Sequence, residues 1–252
     1  MFRRVGLGLA LAGLDPRPMV RSLAATPRFL RQFREYRDLA RAAGQDVPRF
    51  RDVIPALADA TDEAGSASSE YFLADLWVAR RVASIRPGRH LDIGSRIDGL
   101  VAHLLTVIDV DVVDIRPLRS EVSGLRFVQS DATSLLDLPQ YPSVSSVHAL
   151  EHFGLGRYGD AIDPDGHRRG LEAIGRVVEP DGDLYIGLPV GRSRVEFNAH
   201  RVVDPELVPE VLSEFTVVEF AAVLNRKLIE STSPEQMRGT EYAVGLYHLR
   251  HT

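Results

Sequence analysis

Apolar residues recur at helical spacing over 70–85, where Phe72, Leu73, Leu76, Trp77, Val82 and Ala83 form one stripe. Ser69 stands where an N-cap belongs, and Pro87-Gly88 punctuates the end. Shorter apolar runs follow, of strand length. They cover 90–93 into Gly94, 107–115 with Asp114 at its end, 125–129 ahead of Asp131, and 144–150. Residues 166–178 read as a helix closed by Pro180-Asp181-Gly182, and 183–188 as a strand stopped by Pro189. A helix is expected over 205–213, then strands over 216–223 and 242–249. Strands alternating with helices predict an α/β domain: a Rossmann-like, seven-stranded, mostly parallel sheet with helices on both faces. The last two strands are expected to form a hairpin-like edge.

The first quarter reads differently. Arg28, Arg31, Arg34, Arg37 and Arg41 line one side of a helical segment, with Phe29, Phe33, Tyr36 and Ala40 on another. This basic face reads as a solvated surface or as a contact for an acidic partner. Residues 44–68 are rich in Pro, Gly, Ser and Asp and read as a connector with one short helix. The boundary is placed near Gly65, giving an N-terminal helical appendage and connector (1–65) and the Rossmann-like domain (66–252). Before the Arg-rich segment, Met1-Phe2-Arg3-Arg4 and the apolar run 5–14 imitate a secretory leader. A cut after Ala12 would release a segment shorter than such leaders, so a short docking helix is expected instead.

Composition narrows the chemistry. The 252 residues are 44% hydrophobic and 26% charged, with a net charge of -5, as in ordinary globular proteins. Mild acidity gives no reason to expect nucleic acid as the main partner. No apolar stretch is long enough for a transmembrane span. With no cysteine in the sequence, disulfides, thiolate zinc sites and Cys nucleophiles have nothing to build on. A cytoplasmic setting is expected, and the apolar N-terminal run suggests a homodimer.

In doubly wound sheets ligands sit at the carboxyl ends of the strands. Asp92, Asp114 and Asp131 fall at such ends. Asp114 follows Gly94 by about 20 residues, the interval between a glycine turn and an acid that accepts from ribose hydroxyls. Asp131 is placed to accept from an adenine amino group. Each acid alone would also suit a turn or a cap.

The strings LDIGSRIDG, VVDIRPL, FVQSDATSL, SSVHALEHF and RVVEPDGDLYIGLP resemble the successive motifs of class I S-adenosylmethionine-dependent methyltransferases, over residues 69–249. A closer resemblance is to DUF268, a domain of unknown function, carried by DIGSRIDG, HALEHFGLGRYGD, DPDGH and VEFNAHRV. The resemblance implies S-adenosyl-L-methionine as cofactor, held by Asp92, Gly94, Ser95, Arg96, Asp114, Ile115, Arg116, Asp131 and Ala132. It also implies a place in polysaccharide synthesis, as a sugar O-methyltransferase. The usual first motif, D-x-G-x-G-x-G, keeps only Gly94 in register. Arg96 and Asp98 stand where later glycines allow close backbone approach.

His148, Glu151 and His152 fall at the end of the fourth strand, where the transferred methyl group should lie. A His there suits a general base, because its pKa lies near neutrality. The same cluster resembles the E-x-x-E-H of some metal-assisted methyltransferases, with His148 in place of the first Glu. Glu151, His152 and His200 are then candidate ligands for Mg²⁺ or Mn²⁺. The string also fits H-x-x-E-H of inverted zinc proteases, but that motif needs a continuous helix and a strand is expected here. A loop of ten residues or more follows Gly154, with the length of a lid. Tyr158 and Asp160 on it, with His200 and Arg201 after the fifth strand, are the expected substrate contacts.

These readings converge on an O-methyltransferase acting on a sugar or short oligosaccharide, with a His base and an optional divalent metal. The alternative is a catalytically inactive methyltransferase-fold scaffold in a glycan-assembly complex. An NAD-linked enzyme is disfavoured, since G-x-G-x-x-G is absent after the first strand.

Overall fold

The computed structural model describes residues 16–57, 67–133 and 138–252. The expected docking helix over 5–14 and the boundary at Gly65 lie outside the described residues. The chain divides into two compact units, Met1–Ser66 and Ala67–Thr252. In the first, helix α1 (Pro16–Ala42) is longer than the Arg-rich stretch predicted and runs through Pro27. Phe29 and Phe33 stack at 6.4 Å, and Phe33 meets Phe50 edge-on at 6.4 Å. Among the described residues of the connector, the expected short helix is represented by one 3-10 turn, Phe50–Asp52. Among the described residues no helix is long and apolar enough to cross a membrane.

The second unit opens with α2 (Glu70–Ile85). Ser69 caps it, its side chain accepting from the Phe72 N–H at 3.1 Å, and Arg86 ends it in a left-handed conformation. Five parallel strands follow: β1 (His90–Ile93), β2 (Val110–Asp114), β3 (Leu125–Gln129), β4 (Tyr141–Val147) and β5 (Val178–Val190). The rest are a small hairpin of β6 (Arg194–Glu196) and β7 (His200–Val202), then β8 (Phe215–Leu224), β9 (Lys227–Ile229) and β10 (Ala243–His251). Helices α3 (Ala102–Leu104), α4 (Gly166–Arg176), α5 (Leu207–Val211) and α6 (Pro234–Met237) connect them.

The main sheet has eight strands in the order β3-β2-β1-β4-β5-β10-β8-β9. The Rossmann-like α/β expectation holds, with one strand more than the seven predicted. Strand β10 inserts between β5 and β8, antiparallel to both, and the short β9 forms the edge. The predicted edge hairpin is therefore a β8–β10 pair with β9 outside it. Strand β5 runs through Pro180-Asp181-Gly182, which was expected to break the chain. The β4–β5 register jumps from Tyr141↔Val178 to Ser143↔Asp183, so the turn residues are absorbed as a bulge, with Asp181 at φ 61°.

Alternation along the strands feeds two cores. Leu91, Ile93 and Val144 face α4 and α5, together with Leu171, Ile174 and Val208. Val110, Val112 and Val147 face α2 and α3, together with Trp77, Val78 and Leu104. His90, Asp92, Ser143 and Ser145 fall at the alternate positions of β1 and β4, and all are buried. The strand order reverses between β1 and β4, so the crevice for a ligand opens at their carboxyl ends.

Candidate active site

A cavity of about 330 Å³ opens at that reversal point. Gly94 forms its floor with φ +72°, and its N–H donates to Val113 O at 2.9 Å. A Cβ there would stand 2.8 Å from the Ala149 Cβ, closer than packed side chains approach, so the cradle requires glycine. Past it the chain makes a wide turn, Ile97–Val101, in place of a glycine-rich helix start. Arg96 lines the cavity, bonds Asp98 at 2.9 and 3.1 Å, and lies 5.4 Å over the Tyr71 ring.

Asp114 ends β2 at the cavity wall. Its carboxylate accepts from the Arg116 backbone N–H at 2.8 Å, from Nε at 3.0 Å and from Nη2 at 2.6 Å. The same guanidinium lies 4.4 Å over the Tyr158 ring. Ile115 and Ala132 add apolar wall beside it. Asp131 holds its own turn, Oδ1 accepting from the Thr133 N–H at 2.9 Å and Oγ1 at 2.8 Å.

The opposite wall comes from the end of β4. The strand stops at Val147, because His148 is left-handed (φ 55°) and Leu150–His152 is a 3-10 turn. The strand expected through 150 therefore ends three residues early. The His148 ring lies 4.3 Å from the Tyr71 ring, tilted by 44°, its Nε2 buried and unpartnered. His152 Nδ1 lies 2.7 Å from Ala199 O. A carbonyl only accepts, so Nδ1 carries the hydrogen. Burial holds the His152 pKa below its usual value, which leaves Nε2 as a bare lone pair in the cavity wall. Glu151 is buried and does not reach that wall. Its Oε1 lies 3.6 Å from His148 Nδ1 and 3.8 Å from His152 Nε2.

Several expected contacts are corrected. Asp92 and Ser95 are buried beneath the turn and do not line the cavity. Arg201 is 4% exposed and donates to Phe153 O, to Asp163 O at 3.2 Å and to Pro164 O at 3.4 Å, so it stitches the loop instead of meeting substrate. Asp160 does line the cavity, but its carboxylate is already engaged. Its carboxylate accepts from the N–H groups of Gly154 (2.7 Å), Gly156 (3.1 Å) and Tyr158 (3.1 Å). Burial alone would raise its pKa, but these donors hold it below the usual value. His200 stands outside the wall, 3.5 Å from Glu196. Glu151, His152 and His200 therefore do not meet as a metal-ligand set. No group of three His, Cys, Asp or Glu among the described residues forms one.

Tyr158 does reach the cavity, edge-on to His152 at 5.5 Å. The sequence reading missed Tyr71, Arg157 and Arg169, which line it too. Arg157 donates to Ala199 O at 2.9 Å beside His152, and Arg169 pairs with Asp163. Tyr71 was legible in principle. A helix that feeds a parallel strand starts at the carboxyl edge of the sheet, so the first turn of α2 had to lie near the site.

The fold is shared with solved methyltransferases. The N-methyltransferase NodS from Bradyrhizobium japonicum WM9 matches with a TM-score of 0.52 at 15% identity, over 74% of this chain and 99% of that one. The 1,6-didemethyltoxoflavin-N1-methyltransferase of Burkholderia thailandensis, solved with S-adenosylhomocysteine, matches with a TM-score of 0.51 at 18% identity, over 94% and 91%. The [4+2]-cyclase SpnF matches with a TM-score of 0.53 at 14% identity, over 75% and 85%. At these identities the likeness shows the fold, and one fold here carries different activities. No curated protein matches the chain in sequence. One family model does, over residues 98–242, and by that match the chain belongs to the family described as "Caenorhabditis protein of unknown function, DUF268".

Proposed function

We propose that the chain is an S-adenosylmethionine-dependent O-methyltransferase acting on a hydroxyl of a sugar or short oligosaccharide. The observation that carries this reading is a single cavity with two unlike walls. One offers Gly94, Asp114, Ile115 and Asp131, and the other the lone pair of His152 Nε2. The first wall fits a nucleoside: a carboxylate for the ribose hydroxyls, an apolar side chain for the base, and a bare glycine backbone at the floor. Bound S-adenosylmethionine would supply a methyl group already activated by its sulfonium. The protein's part is then alignment of the acceptor and removal of one proton.

His152 is the proposed base. Ala199 O holds its tautomer, so Nε2 faces the cavity able to take a proton from a hydroxyl. Glu151, behind both imidazoles, would steady the charge that forms. Tyr71, Tyr158 and Arg157 give the acceptor side hydroxyl and guanidinium donors, which suits a hydroxylated substrate.

Calorimetric titration with S-adenosylhomocysteine tests the cofactor half. Micromolar binding supports it. No binding would favour a scaffold that keeps the fold without the chemistry. Transfer of a labelled methyl group from S-adenosylmethionine to a panel of mono- and oligosaccharides tests the acceptor half. Labelling of amines but no hydroxyl would overturn O-methylation.

A further inference from the structure

Beneath the turn that carries Gly94, a run of buried polar groups links β1 to β4. Ser143 Oγ lies 2.8 Å from His90 Nδ1, and His90 Nε2 lies 2.9 Å from Ser145 Oγ. Ser145 Oγ donates to Asp92 Oδ2 at 2.6 Å. Having spent its one hydrogen there, Ser145 must accept from His90, so the ring carries its hydrogen on Nε2. Nδ1 is then bare and accepts from Ser143. Burial lowers the His90 pKa to about 3, so the ring stays neutral.

From the other side, Ser95 Oγ donates to Asp92 Oδ2 at 2.7 Å and accepts from the Val147 N–H at 3.0 Å. The Ser95 N–H donates to Asp92 Oδ1 at 3.1 Å. Asp92 thus holds Ser95 at two atoms, and β4 holds Asp92. None of these side chains lies in the cavity wall, whereas Gly94 and Arg96, on either side of Ser95, both do.

We infer that Asp92 and Ser95 are positioning residues for the nucleotide cofactor, fixing the 94–96 turn from below in place of the glycines absent at Arg96 and Asp98. This rests on the cofactor reading above. A glycine-rich turn lets a ligand approach because its backbone is bare and adaptable. Here only Gly94 is bare, so the remaining turn must be correct before the ligand arrives. Bonds to a buried carboxylate are among the stronger ones available, and a turn so held loses little freedom on binding.

The test is S-adenosylhomocysteine affinity set against thermal stability in three full-length proteins: unaltered, Ser95→Ala and Ser146→Ala. Ser146 is an equally buried serine of β4 whose hydroxyl donates to Ile93 O at 2.9 Å, outside the Asp92 network. Both variants should lose similar thermal stability. Ser95→Ala should also lose about tenfold in affinity, on the scale of one charge-assisted bond, with Ser146→Ala unchanged. If Ser95→Ala does not fold, Ser145→Ala removes the other hydroxyl donor to the same oxygen and is read in the same way. Equal affinity in unaltered protein and Ser95→Ala would overturn this inference alone, as would equal loss in both variants. No binding by the unaltered protein would overturn the cofactor reading and this inference with it.

Discussion

Asp114 accepts three hydrogen bonds from Arg116, and this pairing sets the sign of two substitutions. Asp114→Ala should weaken S-adenosylhomocysteine by tenfold or more, since a hydrogen bond to a charged group is worth roughly 1.5–3 kcal/mol. Arg116→Ala should do the opposite. It frees the carboxylate from a half-exposed ion pair worth about 0–1 kcal/mol, so affinity should rise by up to about fivefold. Titration of both variants checks the pair, and weaker binding by Arg116→Ala would mean that its guanidinium meets the ligand directly. His90 sets a third expectation. Its pKa is depressed to about 3 in the fold and returns to 6.5 on unfolding. The unfolded chain therefore takes up the proton first, and stability is lost as pH falls below 6.5 until about 3. His90→Gln removes this cost, so the variant should lose less stability than the unaltered protein as pH falls through that window, seen in urea unfolding at several pH values. That Gly94, Asp114, His148 and His152 gather at one cavity was legible, because glycine turns, strand-end acids and a His at a strand end have predictable places in such a sheet. Asp92 and Arg201 turn to partners far along the chain, Ser145 and the carbonyls of Phe153, Asp163 and Pro164, which no local pattern reveals. Asp160 reaches the cavity as expected, but the amides of its own loop take up its carboxylate.

At the scale of elements, loop 153–165 is ordered from two sides. Asp160 gathers three of its N–H groups, and Arg201, reaching across from β7, gathers three of its carbonyls. Arg201→Ala leaves those acceptors short of a donor in a buried place. It should cost about 2–3 kcal/mol, seen as a lower urea midpoint at unchanged slope. Strand and helix identities followed from periodicity, but ends did not. Apolar Val144, Val147 and Leu150 suggest one continuous strand, yet the strand ends at Val147 and Leu150 enters the core from a 3-10 turn. Pro180-Asp181-Gly182 has the local chemistry of a break, yet β5 absorbs it as a bulge, since β4 pairs with Val178 before it and Asp183 after it. Tertiary pairing overrode local turn preference in that case.

For the molecule as a whole, alternation of strand and helix was enough to predict a mostly parallel sheet with helices on both faces. The order at the antiparallel end was not readable, since nothing local says that β10 must slot between β5 and β8. Both hydrophobic cores are built from residues after Ala67. A chain beginning at Ala67 should therefore unfold in one cooperative step and bind S-adenosylhomocysteine. Multiphasic melting of that fragment would show that the first unit is needed for the second to fold.

The grip of Arg116 on Asp114 has a consequence for ionic strength. An arginine on a carboxylate is an internal competitor for any ligand that needs the same oxygens. Dissolved salt weakens that pairing by screening, but it barely touches hydrogen bonds to an uncharged sugar ring. Adenosine carries the ribose without the charged methionine tail. Its affinity should therefore rise between low and high salt, the reverse of the usual trend for a site lined with charge. A flat or falling salt dependence would mean that Arg116 does not stand in the ligand's way.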